Sequence, residues 1–403
     1  MSLKSSPGGM AASATLTCAA LGILSYAVYA DRRRLRRQQA TRGNHEIRGQ
    51  LPKTLLEWRL PTVSDGSEDR VAMEAAVWQP LFDFFQKHGF TLWKHAFMFT
   101  LIPDAEEPAE CSSGFAYATP ERGMGPGIGS VSRVFQYQAL NPLCRPARTR
   151  AGYDVVIRVL AIGQSGQDHV EILKTLSRGD FAFFSANHAI PLYEFITFED
   201  ITFGIFPMVG FRVEEAYGYW AKNSVGDVVN MLLQCLEALL FIHSAKIAHR
   251  DAFKDNFLVQ WHPESLLTGY PPSSYPRVYL TDFETAVMFP DGTPLGECLA
   301  SGIPMGSSFP DDVSRYNRPV TPDMGAGQHY DPFKLDVWQL AMSFKNFQST
   351  IPEIDSFLNG LREPDASLRM TSADAYYHLS DILSSVPPNS LLIQPQVLAD
   401  TWM

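Results

Sequence analysis

The sequence predicts an α+β protein, a body of about 250 to 300 residues carried behind an N-terminal extension. Three observations lead there. The chain has 403 residues, too many for one small domain. Its hydrophobic set is 45% against 19% charged residues, which supplies a large core and excludes a disordered, collagenous or disulfide-scaffold chain. In the second half, a long amphipathic segment is followed by two short apolar segments, each delivering polar side chains at its end.

The extension differs from the body in charge. Residues 1–60 carry ten basic and three acidic side chains, whereas the rest carries 23 basic and 40 acidic ones. A net charge of -10 argues against a general nucleic-acid binder. Within the N-terminal segment 1–37, the run Met10 to Ala30 holds no charge and is followed by Asp31 and then Arg32, Arg33, Arg34, Arg36 and Arg37. As a helix it would span roughly 30 Å, the thickness of a bilayer core. The arginines would stay cytoplasmic, which gives a single-span membrane anchor with the body in the cytosol. A cleaved export signal ending at Val28-Tyr29-Ala30, a mitochondrial targeting segment and a buried helix are the other readings. Five cysteines, with no CxxC pair and no nearby histidine at ligand spacing, support neither a disulfide framework nor zinc and fit a reducing compartment.

Residues 38–130 read as linker and extension. Positions 38–66 are polar and form a tether. Val71, Ala75, Val77, Leu81, Phe84 and Phe85 recur at near-helical spacing before Gly89 and predict a packed helix from Glu68 to His88. Residues 103–130 are rich in proline and glycine and read as a long loop. The cluster Gly123, Gly125, Gly127 and Gly129 invites a phosphate-loop reading, but it lacks GxxxxGK[ST] and a preceding strand, so an ordinary loop stands beside it. The aromatic runs Phe97 to Phe99 and Phe181 to Phe184 read as packing.

The chemistry lies further on. Val225, Val228, Leu232, Leu236, Leu239 and Ile242 form one face of a helix over Ser224 to Ser244, with Ser224 and Asp227 placed to cap it. Directly after it come His249, Arg250 and Asp251, then Asn256 five positions past the aspartate and an apolar strand. One carboxylate can accept a hydroxyl proton, and an amide oxygen five residues on can reach a metal ion. A second strand, Arg277 to Thr281, delivers Asp282 with Phe283 and Glu284, so a second acid arrives at a strand end.

These motifs resemble the eukaryotic protein kinase family, and the chain looks most like the divergent kinase-like proteins of mushroom-type fungi. The resemblance covers residues 131–385 and leaves 386–403 as a tail. It implies a two-lobed fold, a small β-rich lobe and a larger helical one with ATP and Mg2+ between them. It also implies Asp251 as catalytic base, Asn256 and Asp282 as metal ligands, and Arg158, in Val155-Val-Ile-Arg158, at the position of the phosphate-binding lysine. Glu171 is the nearest acid to the expected glutamate position, where His169 falls. Lys254 lies three after the aspartate, one beyond the family's phosphate-steadying lysine. His249, Arg250, Asp336 in Asp336-Val-Trp338, Asp323 in Thr321-Pro-Asp323 and Arg369 are matched to supporting residues, Arg369 pairing with an acid of these motifs and Arg250 with the activation segment. Asp323 follows Asp282 by 41 positions, a segment long enough to shape a protein acceptor site.

The departures cluster where nucleotide phosphates would be held. Arg replaces a point-charge ammonium with a bulkier planar fork. Gln136 to Asn141, where the glycine loop is expected, contains no glycine. Glu284 stands where the family has glycine. Three readings follow: an atypical ATP-dependent protein kinase acting on a protein hydroxyl, a pseudokinase serving as a binding scaffold, and a small-molecule phosphotransferase. Ser301, Ser307 and Ser308 lie in the activation segment as candidate phosphorylation sites.

Overall fold

Nine consecutive residues, Asp154 to Ile162, are almost all apolar or β-branched and form the central strand on which the rest of the small sheet is built. The computed structural model describes residues 43–59, 68–97, 100–103, 119–120, 131–132, 136–138, 141–216, 222–309, 313–325 and 327–398. The expected membrane run 10–30, the glycine cluster 123–129 and the last two residues of the first aromatic run, Met98 and Phe99, lie outside them. Residues 1–51 and 52–403 are separate packing units; in the first, residues 43–48 are helical.

In the second unit, helices α1 (Leu55–Trp58), α2 (Glu68–Trp78) and α3 (Phe82–His88) lead into an antiparallel sheet. Gly89, at φ 95°, ends α3 in the left-handed conformation that glycine adopts without strain. The predicted helix over Glu68 to His88 is thus present, broken by a single turn at Gln79–Leu81. The sheet contains β1 (Phe90–Leu92), β2 (Cys144–Thr149), β3 (Asp154–Ile162), β4 (Glu194–Phe198) and β5 (Ile201–Pro207) in the order β1-β2-β3-β5-β4. Arg158 on β3 faces Cys144 across one edge and Gly204 across the other. A Cβ on Gly204 would lie 2.7 Å from Leu160 and 2.8 Å from Phe206, so any larger residue would force one of these side chains to shift.

β1 pairs with β2, although residues 93–143 separate them, and this connection occupies the stretch where a glycine hairpin was expected. It holds a second, three-stranded sheet of Lys94–Phe97, Thr100–Ile102 and Tyr137–Gln138. Because β1 belongs to the main sheet, a domain boundary at residue 131 cuts that sheet. The tether assigned to 38–66 is likewise interrupted by α1. Its Trp58 is fully buried, 5.6 Å from Trp78 and 6.1 Å from Phe203 between ring centroids.

Helix α4 (Gln167–Ser177) packs on β3, and α5 (Val225–Ser244) forms the centre of the larger part. Ser224 and Asp227 make the reciprocal capping bonds their spacing predicts. Among the described residues, α5 is the one helix long and apolar enough to cross a membrane, and its inward residues are buried as core. Strands β6 (Phe257–Val259) and β7 (Val278–Leu280) pair after it, and helices α6 (Pro332–Ser343), α7 (Pro352–Leu361) and α8 (Ser372–Ser385) close the fold. The core runs without a break from Leu160 and Leu173 through Leu236 to Leu340 and Leu358.

Truncating Trp58 removes an indole from a closed aromatic cluster. Trp58→Ala should cost about 3 to 5 kcal/mol of unfolding free energy in urea titrations, whereas Leu56→Ala, on the exposed side of α1, should cost little.

Candidate active site

Three polar residues at positions 336, 339 and 343 lie on one face of α6, a spacing that stacks them along the helix. Each takes a backbone group of the loop after α5. The fully buried Asp336 carboxylate accepts from the amides of His249 at 2.7 Å and Arg250 at 2.6 Å, and meets His243 Nε2 at 2.9 Å. Gln339 accepts from the Ala252 amide at 2.9 Å and donates to the Arg250 carbonyl at 2.8 Å. Ser343 Oγ accepts from the Lys254 amide at 3.0 Å. These bonds hold Arg250 at φ 65°, a left-handed conformation unusual for a residue with a side chain. His249 Nε2 donates to the Thr281 carbonyl at 2.9 Å while its Nδ1 accepts from the Asp251 amide at 3.3 Å. Burial lowers the pKa of this imidazole, which stays neutral as a strut between the two motifs.

Asp251 and Asn256 meet as their spacing requires. Asn256 Nδ2 donates to the Asp251 carbonyl at 2.8 Å and to its Oδ2 at 2.7 Å, leaving the Asn256 side-chain oxygen for another partner. Arg318 faces the same carboxylate, with Nε 3.3 Å from Oδ1, and binds Asp255 at 2.7 Å. Burial pushes the Asp251 carboxyl up to about 7, against the pull of Arg318.

The second cluster lies at the end of β7. Arg158 Nη2 donates to Asp282 Oδ1 at 2.6 Å and to Glu284 Oε2 at 3.2 Å, so one guanidinium bridges both acids. Burial raises the pKa of Asp282, but Arg158 outweighs it and holds the carboxyl at about 2. Asp282 has φ 64°, which turns its side chain back toward β3. Glu284 also accepts from the Ser308 amide at 2.6 Å, and Ser308 Oγ accepts from Arg59 at 2.9 Å. Arg59 covers the Phe309 ring at 3.6 Å.

Other expected residues fall differently. Glu171 points to solvent, 56% exposed, and pairs with Lys174 at 2.6 Å, so it does not reach Arg158. The turn of α4 places buried His169 inward instead, where burial and then Arg158 press its pKa down to about 3 and keep it neutral. Arg250 reaches the Tyr330 hydroxyl at 3.1 Å. Arg369 donates to the carbonyls of Lys334, Glu363 and Pro364, with Asp323 its foremost attractive charge. Lys254 lines a cleft of about 380 Å³ with Asp255 and Arg318. Sequence reasoning did not single out Arg59 or Arg318. Each acts on residues far away in sequence, and no local pattern marks either one; for Arg59 the spacing of Leu55 and Trp58 was the available sign of an ordered segment.

No family model matches the chain. The serine/threonine-protein kinase ppk8 of Schizosaccharomyces pombe is 26% identical to it over 168 residues, 38% of this chain and 28% of that protein. The chain is similar to a protein kinase. A crystal structure of the Rad53 kinase domain and SCD2 aligns with a TM-score of 0.39 at 16% identity, covering 58% of this chain and 82% of that one.

Two outcomes test this geometry. Arg158→Ala leaves two acids facing each other, Glu284 buried and Asp282 partly so, and should cost about 3 to 5 kcal/mol in chemical denaturation. For Asp251, the folded carboxyl keeps a proton that the unfolded chain releases above about pH 4, so stability falls as pH rises from there to about 7. The melting midpoint of the wild type relative to Asp251→Asn should therefore drop by a few degrees between pH 4 and pH 8; parallel curves would refute the assignment.

Proposed function

We propose that this chain is a protein-kinase-like phosphotransfer protein that binds ATP with Mg2+ and acts on a protein hydroxyl, serine or threonine rather than tyrosine. The observation that carries the reading is the hydrogen-bonded pair Asp251 and Asn256, on a loop clamped by α6 just before β6, with Asp282 just after β7, the strand paired to it, and His249 bonded to the neighbouring Thr281. The similarity to ppk8 supports it, as does the segment of 41 positions from Asp282 to Asp323, long enough to present a protein acceptor. The fungal subgroup, the two-lobed arrangement and a membrane tether at residues 10–30 are parts of the same proposal that rest on sequence alone.

The donor chemistry fits the cofactors. Asp282 and Asn256 offer hard oxygen ligands suited to Mg2+, and Arg158 offers a cation suited to phosphate. Asp282 and Asn256 would hold the metal, and Arg158 would contact phosphate oxygens. ATP supplies the phosphoryl group when bound. Asp251 orients the acceptor hydroxyl and takes its proton, a role helped by a carboxyl that ionises near neutral pH.

A second reading, a scaffold with the fold but no transfer, is favoured by one observation. Both candidate acids are already paired inside the protein, Asp282 with Arg158 and Asp251 with Arg318. Thermal unfolding of the full chain separates the two. With saturating ATP and Mg2+ the midpoint should rise by a few degrees, since ligand at 100 times its dissociation constant adds about 2.7 kcal/mol. Asp282→Asn should lose the shift, whereas Asp251→Asn should keep it and lose phosphate incorporation. Absence of any shift at millimolar ATP would leave the scaffold reading.

A further inference from the structure

Arg318 is held more closely than a surface arginine needs to be. Its guanidinium lies between Asp251 and Asp255 and stacks over Phe253 at 4.8 Å. Even so, hydrogen-bonding capacity around it is unmet. Asp251 Oδ1, Asp255 Oδ1 and the Tyr316 hydroxyl are all buried atoms without a hydrogen-bond partner. Two of the three are carboxylate oxygens, which call for N–H or O–H donors. Asp255 and Arg318 also line the cleft of about 380 Å³, which is bounded by Glu214 and runs to the end of α6 at Ser343.

An acceptor hydroxyl has to reach Asp251, and Arg318 lies against that carboxylate, 3.3 Å from its Oδ1. When Arg318 leaves, Asp251 and Asp255 lose the cation they share and their mutual repulsion is no longer offset by it, which is unfavourable in a partly buried site. A neutral or acidic incoming segment leaves that repulsion standing. A segment bringing its own cation removes it.

Building on the phosphotransfer reading of the same site, we infer that Arg318 stands in for a basic side chain of the acceptor. The protein substrate is a peptide segment with an arginine or lysine near the acceptor hydroxyl, and it enters by displacing Arg318 from Asp251 and Asp255. Arginine is the better fit, because its planar fork can serve both carboxylates at once as Arg318 does. Arg318 thus sets both acceptor selectivity and the resting occupancy of the site. Lys254 and Lys345 also line the cleft, which makes the opposite preference, for an acidic peptide, a real outcome of a test.

The test is fluorescence anisotropy of the full chain with three labelled serine peptides that differ only in carrying arginine, alanine or glutamate beside the serine. The arginine peptide should bind at least tenfold more tightly than the others, and Arg318→Ala should tighten it about tenfold further by removing the internal competitor. Asp255→Asn should erase the preference, and melting curves establish that each variant is folded. If Arg318→Ala does not fold, Asp255→Asn and Arg318→Lys decide, the latter expected to bind the arginine peptide between the wild type and the fully released state. Equal binding of the three peptides, or preference for the glutamate peptide, overturns the inference. Phosphate incorporation is scored in parallel. Transfer to all three peptides alike would sink the selectivity and leave the phosphotransfer reading intact; selective binding with no transfer would do the reverse.

Discussion

The structure depends most on one buried carboxylate. Asp336, on a helix in the middle of the core, takes two consecutive backbone amides of the loop that carries Asp251, and meets His243 at the end of α5. A buried charge is costly unless its hydrogen bonds are met, and here the bonds that meet it also fix the loop. Gln339 and Ser343 extend the same clamp along α6. The Asp251 carboxylate is therefore positioned by backbone held from below rather than by its own packing, and its side chain keeps contact with solvent.

Above that clamp, the site is a set of paired opposites. Arg158 answers Asp282 and Glu284, and Arg318 answers Asp251 and Asp255. Glu284 adds a second acid beside Asp282 and lies against the segment 306–308, accepting from the Ser308 amide, and a Cβ on Gly306 would lie 2.5 Å from its carboxylate. Arg59 then ties Ser308 and Phe309 to the start of the packed body. Arg59, the segment at Ser308 and β3 are joined through one line of polar contacts.

Much of this was legible in the sequence, because motifs that join a turn, an acid and an amide at fixed spacing describe a local geometry. The loop from His249 to Asn256, the strand before Asp282 and the caps of α5 all follow from neighbours a few residues apart, whereas Arg158 is marked only by resemblance. Glu171 was misplaced because acid identity was weighed over helical register. His169, Leu173 and Leu176 repeat at the spacing of a buried face, and a residue two after His169 must turn outward beside Lys174. Arg318 and Arg59 were out of reach for a different reason. Their partners are 63 and 249 positions away in the chain, and only the folded core brings them together.

The pairing of β1 with β2 across residues 93–143 has a consequence for how the chain reaches this state. A tight hairpin closes early because little chain entropy is lost, whereas joining two strands through a connection of about fifty residues is entropically dearer and comes with more distant contacts. Strands β2, β3 and β5 can pair with short or modest connections, and β1, with the helices before it, adds to an edge that is already formed. Until β1 does, β2 presents an open edge to other chains, and the covering of that edge falls to the N-terminal residues that composition alone would have assigned to a linker.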